Sequence, residues 1–266
     1  MKNHHYAKRL GVAILAIVFT VIISVPVMAA GLYGPMQTVS RQQGGLNTSI
    51  GYFYHADAYQ DIERYAIKQN QFYMQAAYGS KNIWEAYARL GVSDMAMTGI
   101  FASVNHYVTT SKDNFESDWI PFGSLGGKVF YPINAIFGVG AVVQGTYYFD
   151  DFSDTVAITS GGMPVRTEIE VKRLWDINFG VGAQASLPRN IQLYAGPYLY
   201  YSEAKMSRHS GLHGIGYGSQ DETIENKTKA GLLMGADIPL IKGFRLNLEG
   251  RLSDKFSAGF AVSYTY

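Results

Sequence analysis

The strictest constraint on this chain is its ending. Ala258, Phe260, Val262, Tyr264 and Tyr266 share one parity, and Ser257, Gly259, Ala261, Ser263 and Thr265 share the other. Alternation at period two is the signature of a strand with two unlike faces. The preceding segment repeats it, with Phe244, Leu246, Leu248 and Leu252 opposite Arg245, Asn247, Glu249 and Arg251. A soluble sandwich or a lipocalin-like barrel also alternates, with its polar face in water. In a membrane barrel the pattern is inverted, with apolar residues toward lipid and polar ones toward the lumen.

On that parity the sequence predicts an all-β, antiparallel up-and-down barrel of ten strands, near 46–55, 70–79, 83–93, 124–131, 136–150, 166–187, 191–204, 223–238, 244–252 and 256–266. The connections alternate in length. Ser80–Asn82, Pro132–Ala135, Pro188–Asn190 and Pro239–Gly243 read as tight turns, built from residues that favour them. Segments 56–69, 94–123, 151–165 and 205–222 read as long polar loops on the outer side, and Ser253–Lys255 closes the last outer connection briefly. Segment 94–123 is the ambiguous one: Ile100 to Val108 could be a loop helix, a plug or half of an extra hairpin, which would give twelve strands. Eight strands is the other alternative count.

The first residues have a different period. Lys2, Lys8 and Arg9 precede an apolar run from Leu10 to Val25, then Val27-Met28-Ala29. This reads as a secretory signal at 1–29 cut after Ala29, although the run is about long enough to span a bilayer as an anchor. Residues 30–45 are then expected as an N-terminal periplasmic segment and 46–266 as the barrel domain. No cysteine follows for lipid attachment. The whole chain carries 22 Lys and Arg against 21 Asp and Glu. Such a balance lacks the basic surplus that drives nucleic-acid binding.

Aromatic residues fall where a bilayer would want them. Trp84, Tyr131, Phe137, Phe244 and Tyr266 lie near the inner boundary; Tyr54, Phe72, Phe149, Trp175 and Tyr201 lie near the outer one. The terminal Phe260-Ala261-Val262-Ser263-Tyr264-Thr265-Tyr266 resembles the C-terminal assembly signal of Gram-negative outer-membrane proteins, with Phe260, Val262, Tyr264 and Tyr266 carrying the likeness. The chain as a whole resembles the small porin-like outer-membrane β-barrel proteins. That resemblance implies a place in the cell outer membrane, contact with its lipid and lipopolysaccharide, and handling by periplasmic chaperones and the barrel-assembly machinery. It implies no site residues.

The inward parity holds Glu85, Arg89, Lys128, Lys172, Asp176, Lys229, Asp237, Arg245, Glu249 and Arg251, a set expected to pair as an internal charge network. Tyr73, Tyr87, Tyr148, Tyr194, Tyr198 and Tyr200 point the same way and should fill the lumen. Barrels of about eight strands are just filled by side chains. The expected protein is therefore a monomer with a filled or narrow lumen, structural or surface-interacting through its outer loops; a narrow channel for ions or small solutes is the second reading. A rim enzyme acting on lipid or peptide is the third, resting on His55, His106, His209 and His213 near the outer side with Asp150, Asp151 and Asp154 close by. A histidine in a polar loop is usually only solvated. No catalytic residue, metal or cofactor is assigned, and the chain is not expected to be an enzyme. Gly138, Gly140, Gly180 and Gly182 resemble half of a phosphate-cradling pattern, but no helix follows them; they are expected to leave room for tyrosines on neighbouring strands.

Overall fold

A computed structural model describes residues 32–37, 45–60, 64–80, 83–100, 108–110, 112–160, 163–212, 215–227, 229–241 and 243–266. The strands are β1 (Gly45–Gln60), β2 (Arg64–Ser80), β3 (Trp84–Ser93), β4 (Ala96–Thr98), β5 (Val108–Thr110), β6 (Phe115–Glu116), β7 (Ile120–Pro132) and β8 (Phe137–Tyr148). They continue with β9 (Phe152–Ser160), β10 (Met163–Ser186), β11 (Gln192–Leu212), β12 (Ile215–Asn226), β13 (Ala230–Pro239), β14 (Phe244–Leu252) and β15 (Phe256–Thr265).

Ten of these close an antiparallel ring in the order β1-β15-β14-β13-β11-β10-β8-β7-β3-β2 and back to β1. The wall is apolar outside: Ile50, Met74, Leu90, Leu125, Val129, Leu199, Leu232 and Met234 are all exposed, at 56 to 72%. So wide an apolar belt belongs in hydrocarbon, not in water. Trp84, Tyr131, Phe137, Phe244 and Tyr266 are exposed along one rim and Phe72 and Phe149 along the other. Tyr54 departs from the expected pattern, since it is only 9% exposed.

Beyond the outer rim the segments expected as loops continue as strands. β10 runs twelve residues past Trp175 to Met163, about 40 Å at the strand rise. Glu168, Glu170 and Lys172, among the polar residues of these stretches, occupy the outward parity, while Val156, Ile169, Val171, Met206 and Ile224 are buried on the other together with the polar Asp57 and Thr167. Among its described residues, segment 94–123 adds no membrane hairpin; it supplies the short β4, β5 and β6 and then enters β7.

The outer extension is narrower than the membrane ring. Because Ser253–Lys255 turns β14 into β15 so soon, β12 and β1 meet directly above that hairpin, Tyr59 opposite Asn226 and Gln60 opposite Glu225. At the opposite wall β4 pairs with β2 and β6 with β4, and Glu116 N–H on β6 donates to Asp154 on β9 at 2.7 Å. Among the described residues the ring of the neck thus consists of β1, β2, β4, β6, β9, β10, β11 and β12, with β5 paired to β9. Eight strands enclose a space that side chains just fill. Ile67, Met97, Phe115, Phe152, Ile169 and Ile224 occupy it, each no more than 1% exposed.

Candidate functional site

The lumen below that neck contains a piece of the chain itself. Leu32 to Gln37, expected in the periplasm as part of 30–45, instead lies inside the barrel: Leu32, Tyr33 and Met36 are 2%, 1% and 0% exposed. Its polar backbone is satisfied by the wall. Tyr33 and Gly34 N–H donate to the two carboxylate oxygens of Glu249 at 3.1 and 2.9 Å, Lys128 Nζ donates to Pro35 O at 3.3 Å, and Arg89 donates to Leu32 O. Gln37 N–H donates to Gln184 Oε1 at 2.9 Å, while Gln192 Nε2 donates to Gln37 Oε1 at 2.8 Å. Tyr33 donates its hydroxyl to Asn178 Oδ1 at 2.9 Å and lies under the Arg251 guanidinium. A short segment with no alternation and no charge gives no sequence signal for such a role.

The glycines of the wall make the space. A Cβ on Gly140 or Gly182 would come within 2.9 or 3.1 Å of Met36, and one on Gly138 would overlap the Phe130 ring. Those positions therefore admit the plug and Phe130 instead of the expected tyrosines. Tyrosine does pack on glycine elsewhere, Tyr87 over Gly126 and Tyr194 over Gly235. The six inward tyrosines Tyr73, Tyr87, Tyr148, Tyr194, Tyr198 and Tyr200 are all buried.

Charges line the plug. Glu85, Arg89, Lys128, Asp237, Glu249 and Arg251 are 1 to 5% exposed, Arg245 holds Asp237 at the inner mouth, and Asp176 faces a small interior cavity. Lys128 Nζ is 3.6 Å from Glu85, and Arg251 Nε donates to Glu249 at 2.9 Å. Arg89 donates to Gln75 and Gln144 at 2.6 and 2.9 Å and sits between the rings of Tyr73 and Tyr87.

Two residues assigned to this network lie outside the barrel. Lys172 is ion-paired to Glu170 at 2.5 Å on the outer surface, and that hydrogen bond holds its ammonium above the usual lysine range. The cause of the inversion is a β-bulge between Lys172 and Trp175, with Arg173 at φ 53°; one extra residue flips every side chain beyond it. Lys229 is also exposed, paired with Glu225 at 3.2 Å and lying over the Tyr201 ring, where β12 breaks from β13. Its hydrogen bond to Glu225 holds that carboxyl below its ordinary range.

The two described histidines of the rim, His55 and His209, form their ion pairs with other carboxylates than the aspartates named with them. His209 Nε2 faces Glu170 at 3.5 Å, Asp154 is taken by Lys112 at 2.6 Å and by Glu116 N–H, and Asp151 accepts from Arg173 N–H at 3.3 Å. His106 and His213 lie outside the described residues. His55 faces inward, with Nε2 3.9 Å from Asp57; Asp57 accepts from the Tyr200 hydroxyl. Phe260, Val262 and Tyr266 of the terminal strand are exposed on the lipid face.

No family model matches the chain, and no curated protein matches it. Among solved structures it is similar to the translocator domain of the autotransporter NalP from Neisseria meningitidis, at 10% identity and a TM-score of 0.46, over 84% of this chain and 88% of that one. It is similar also to the outer membrane protease OmpT from Escherichia coli, at 9% identity and a TM-score of 0.45, over 86% and 100%. A third is a major outer membrane protein from Thermus thermophilus, at 12% identity and a TM-score of 0.38, over 82% and 99%. The likeness is one of barrel architecture.

Proposed function

We propose that the chain is a closed outer-membrane barrel, a structural and surface-interaction protein whose outer strands, not its lumen, meet the surroundings. One observation carries this reading: the interior is shut twice, by Leu32–Gln37 within the membrane ring and by the apolar filling of the eight-stranded neck above it. A conducting path needs continuous polar space, and apolar side chains no more than 1% exposed interrupt it. On this reading the protein is a monomer exported by a cleaved signal. It is placed by the assembly machinery through its aromatic terminal strand and touches lipid and lipopolysaccharide along its belt. The mixed-charge outer face of β9 to β12, with Arg166, Glu168, Glu170 and Lys172 on β10, would carry surface contacts.

The test is single-channel recording of the refolded mature chain in a planar bilayer, with heat-modifiable gel migration as the control for folding. Silence is expected. Stable conductance steps that change when Lys128 is neutralised would overturn the reading and make the protein a narrow channel.

A further inference from the structure

On the lipid face, just below the outer rim, the wall carries a groove of about 710 Å³ between Leu125, Tyr147, Phe149 and Trp175. Gly145 lines it without a side chain, and a Cβ built there would meet nothing closer than Asp176 O at 3.9 Å. The open surface of the groove is almost wholly apolar. Since aromatic residues of the rim mark the headgroup level, the groove lies in the outer leaflet and faces its hydrocarbon.

Cations stand directly above it. Lys172 on β10 and Lys205 on β11 are ladder partners that face outward side by side, and like charges at opposed positions destabilise a sheet. Between Lys172 and Trp175 the bulge places Arg173, exposed and at φ 53°, a conformation that costs free energy in any residue but glycine. The carboxylates nearby each have a donor: Glu170 from Lys172, Glu203 from the Tyr201 hydroxyl at 2.7 Å, Glu225 from Lys229, and Asp151 from Arg173 N–H. Among the described residues, the side chains of Arg173 and Lys205 enter no ion pair. Trp175 walls the groove two residues from Arg173, so cations and groove are contiguous along β10.

We propose that this is a docking site for one lipopolysaccharide molecule: a phosphate of its lipid A is held between Arg173 and Lys205, and one acyl chain lies in the groove beneath. A guanidinium fork matches a phosphate with two parallel hydrogen bonds, and the lysine adds a point charge. The bound anion offsets the repulsion between Lys172 and Lys205, and the chain covers the apolar floor that Gly145 leaves open. Neither half recognises the ligand alone; the match is between an amphipathic site and an amphipathic anion. This inference rests on the reading of the barrel as a surface-interaction protein that touches lipopolysaccharide along its belt, and it gives that contact one fixed place.

The chain has three tryptophans, so changing Trp84 and Trp119 to phenylalanine leaves Trp175 as a reporter in the groove wall. The refolded mature chain in a neutral detergent is titrated with bisphosphorylated lipid A, with the same lipid stripped of its phosphates, and with dimyristoylphosphatidylglycerol. The expected result is a saturable change in Trp175 emission with lipid A, weakened about tenfold or more when the phosphates are removed or when Arg173→Gln and Lys205→Gln are combined. Gly145→Leu fills the groove and should weaken lipid A about fivefold or more, with heat-modifiable migration unchanged. Lys205→Gln alone replaces the pair if the double variant does not migrate as a barrel. Phosphate-free lipid A binding as tightly as the intact lipid overturns the proposal, as does sensitivity to the cations without sensitivity to Gly145→Leu, which is a diffuse electrostatic contact. Equal affinity for phosphatidylglycerol overturns the assignment to lipopolysaccharide. Conductance of the parent chain would overturn the closed barrel and leave this site standing, whereas lipid A that fails to bind a silent barrel overturns this inference alone.

Discussion

The Arg251 guanidinium carbon lies 3.5 Å from the centre of the Tyr33 ring, so a residue of the penultimate strand holds one that precedes the first strand. Arg251 is itself held by Glu249, and Glu249 accepts both plug amides. Plug and wall thus share one charge-assisted network. Tyr33→Ala and Arg251→Gln should each destabilise the barrel. Their double-mutant cycle should give a coupling of about 1–2 kcal/mol, the range for a desolvated cation over a ring. Urea unfolding in lipid vesicles measures it, and a coupling near zero would mean that the ring does not feel the guanidinium.

Because the chain has no cysteine, the plug's position can be read by paired cysteines. Gln37 and Gln184 exchange hydrogen bonds at 2.9 and 3.2 Å. Gln37→Cys with Gln184→Cys should be joined by a short bis-maleimide in the folded protein, giving a compact band on a denaturing gel. Gln37→Cys paired with a cysteine at Leu125, on the lipid face, should not. Joining of the second pair and not the first would put the segment outside the lumen.

How much of this was legible follows from where parity holds. Glu85, Arg89, Lys128, Asp237, Glu249 and Arg251 lie on uninterrupted membrane strands, and counting by twos places all six inside. Lys172 fails because the bulge beyond it is one residue with positive φ, which no alternation foretells. The outer strands were hidden for a different reason: Ser153 and Thr155 lie on the outward parity and make β9 read as loop, although Phe152 and Val156 alternate with them into the neck. The plug was invisible, since a six-residue segment that takes its hydrogen bonds from distant side chains has no period of its own.

Tyr87 over Gly126 gives a steric prediction. A Cβ at Gly126 would overlap the ring, a contact that must be relieved by moving either the ring or the strand. Gly126→Ala should therefore cost about 1–3 kcal/mol, the usual penalty of overpacking. Adding Tyr87→Leu should recover part of it by removing the ring. A Gly126→Ala protein as stable as the parent would show that the ring has free space to move into.

Asp57 sets a pH dependence. It lies beyond the outer aromatic rim, fully buried, and burial pushes its carboxyl from 3.8 up to about 6 despite the hydrogen bonds from Tyr200 and Ala58. A raised folded value means that the neutral form is the stabilised one. Its contribution is present below pH 4 and is lost as pH rises through 6, where the unfolded chain ionises more readily. Asp57→Asn keeps an acceptor for Tyr200 without the charge. The variant should exceed the parent in urea midpoint at pH 8, by on the order of 2 kcal/mol, and converge with it at pH 4. A constant difference across that range would assign the effect to shape and not to charge.

The Glu85–Lys128 pair distinguishes a structural charge from a conducting one. Lys128 is 5% exposed, 3.6 Å from Glu85, and also donates to Pro35 O of the plug. Removing it alone takes the cation from beside a buried carboxylate and a donor from a plug carbonyl, so Lys128→Met should destabilise by about 3–5 kcal/mol. Replacing both partners, Lys128→Met with Glu85→Leu, removes the buried carboxylate as well and should recover most of that loss, because an apolar pair of similar volume suits a dry interior. Were the lumen a water-filled path, each single substitution would cost little, since solvent would screen whichever charge remained. The size of the single-mutant penalty by urea unfolding therefore reports how dry the barrel is at the height of the plug, independently of any conductance measurement.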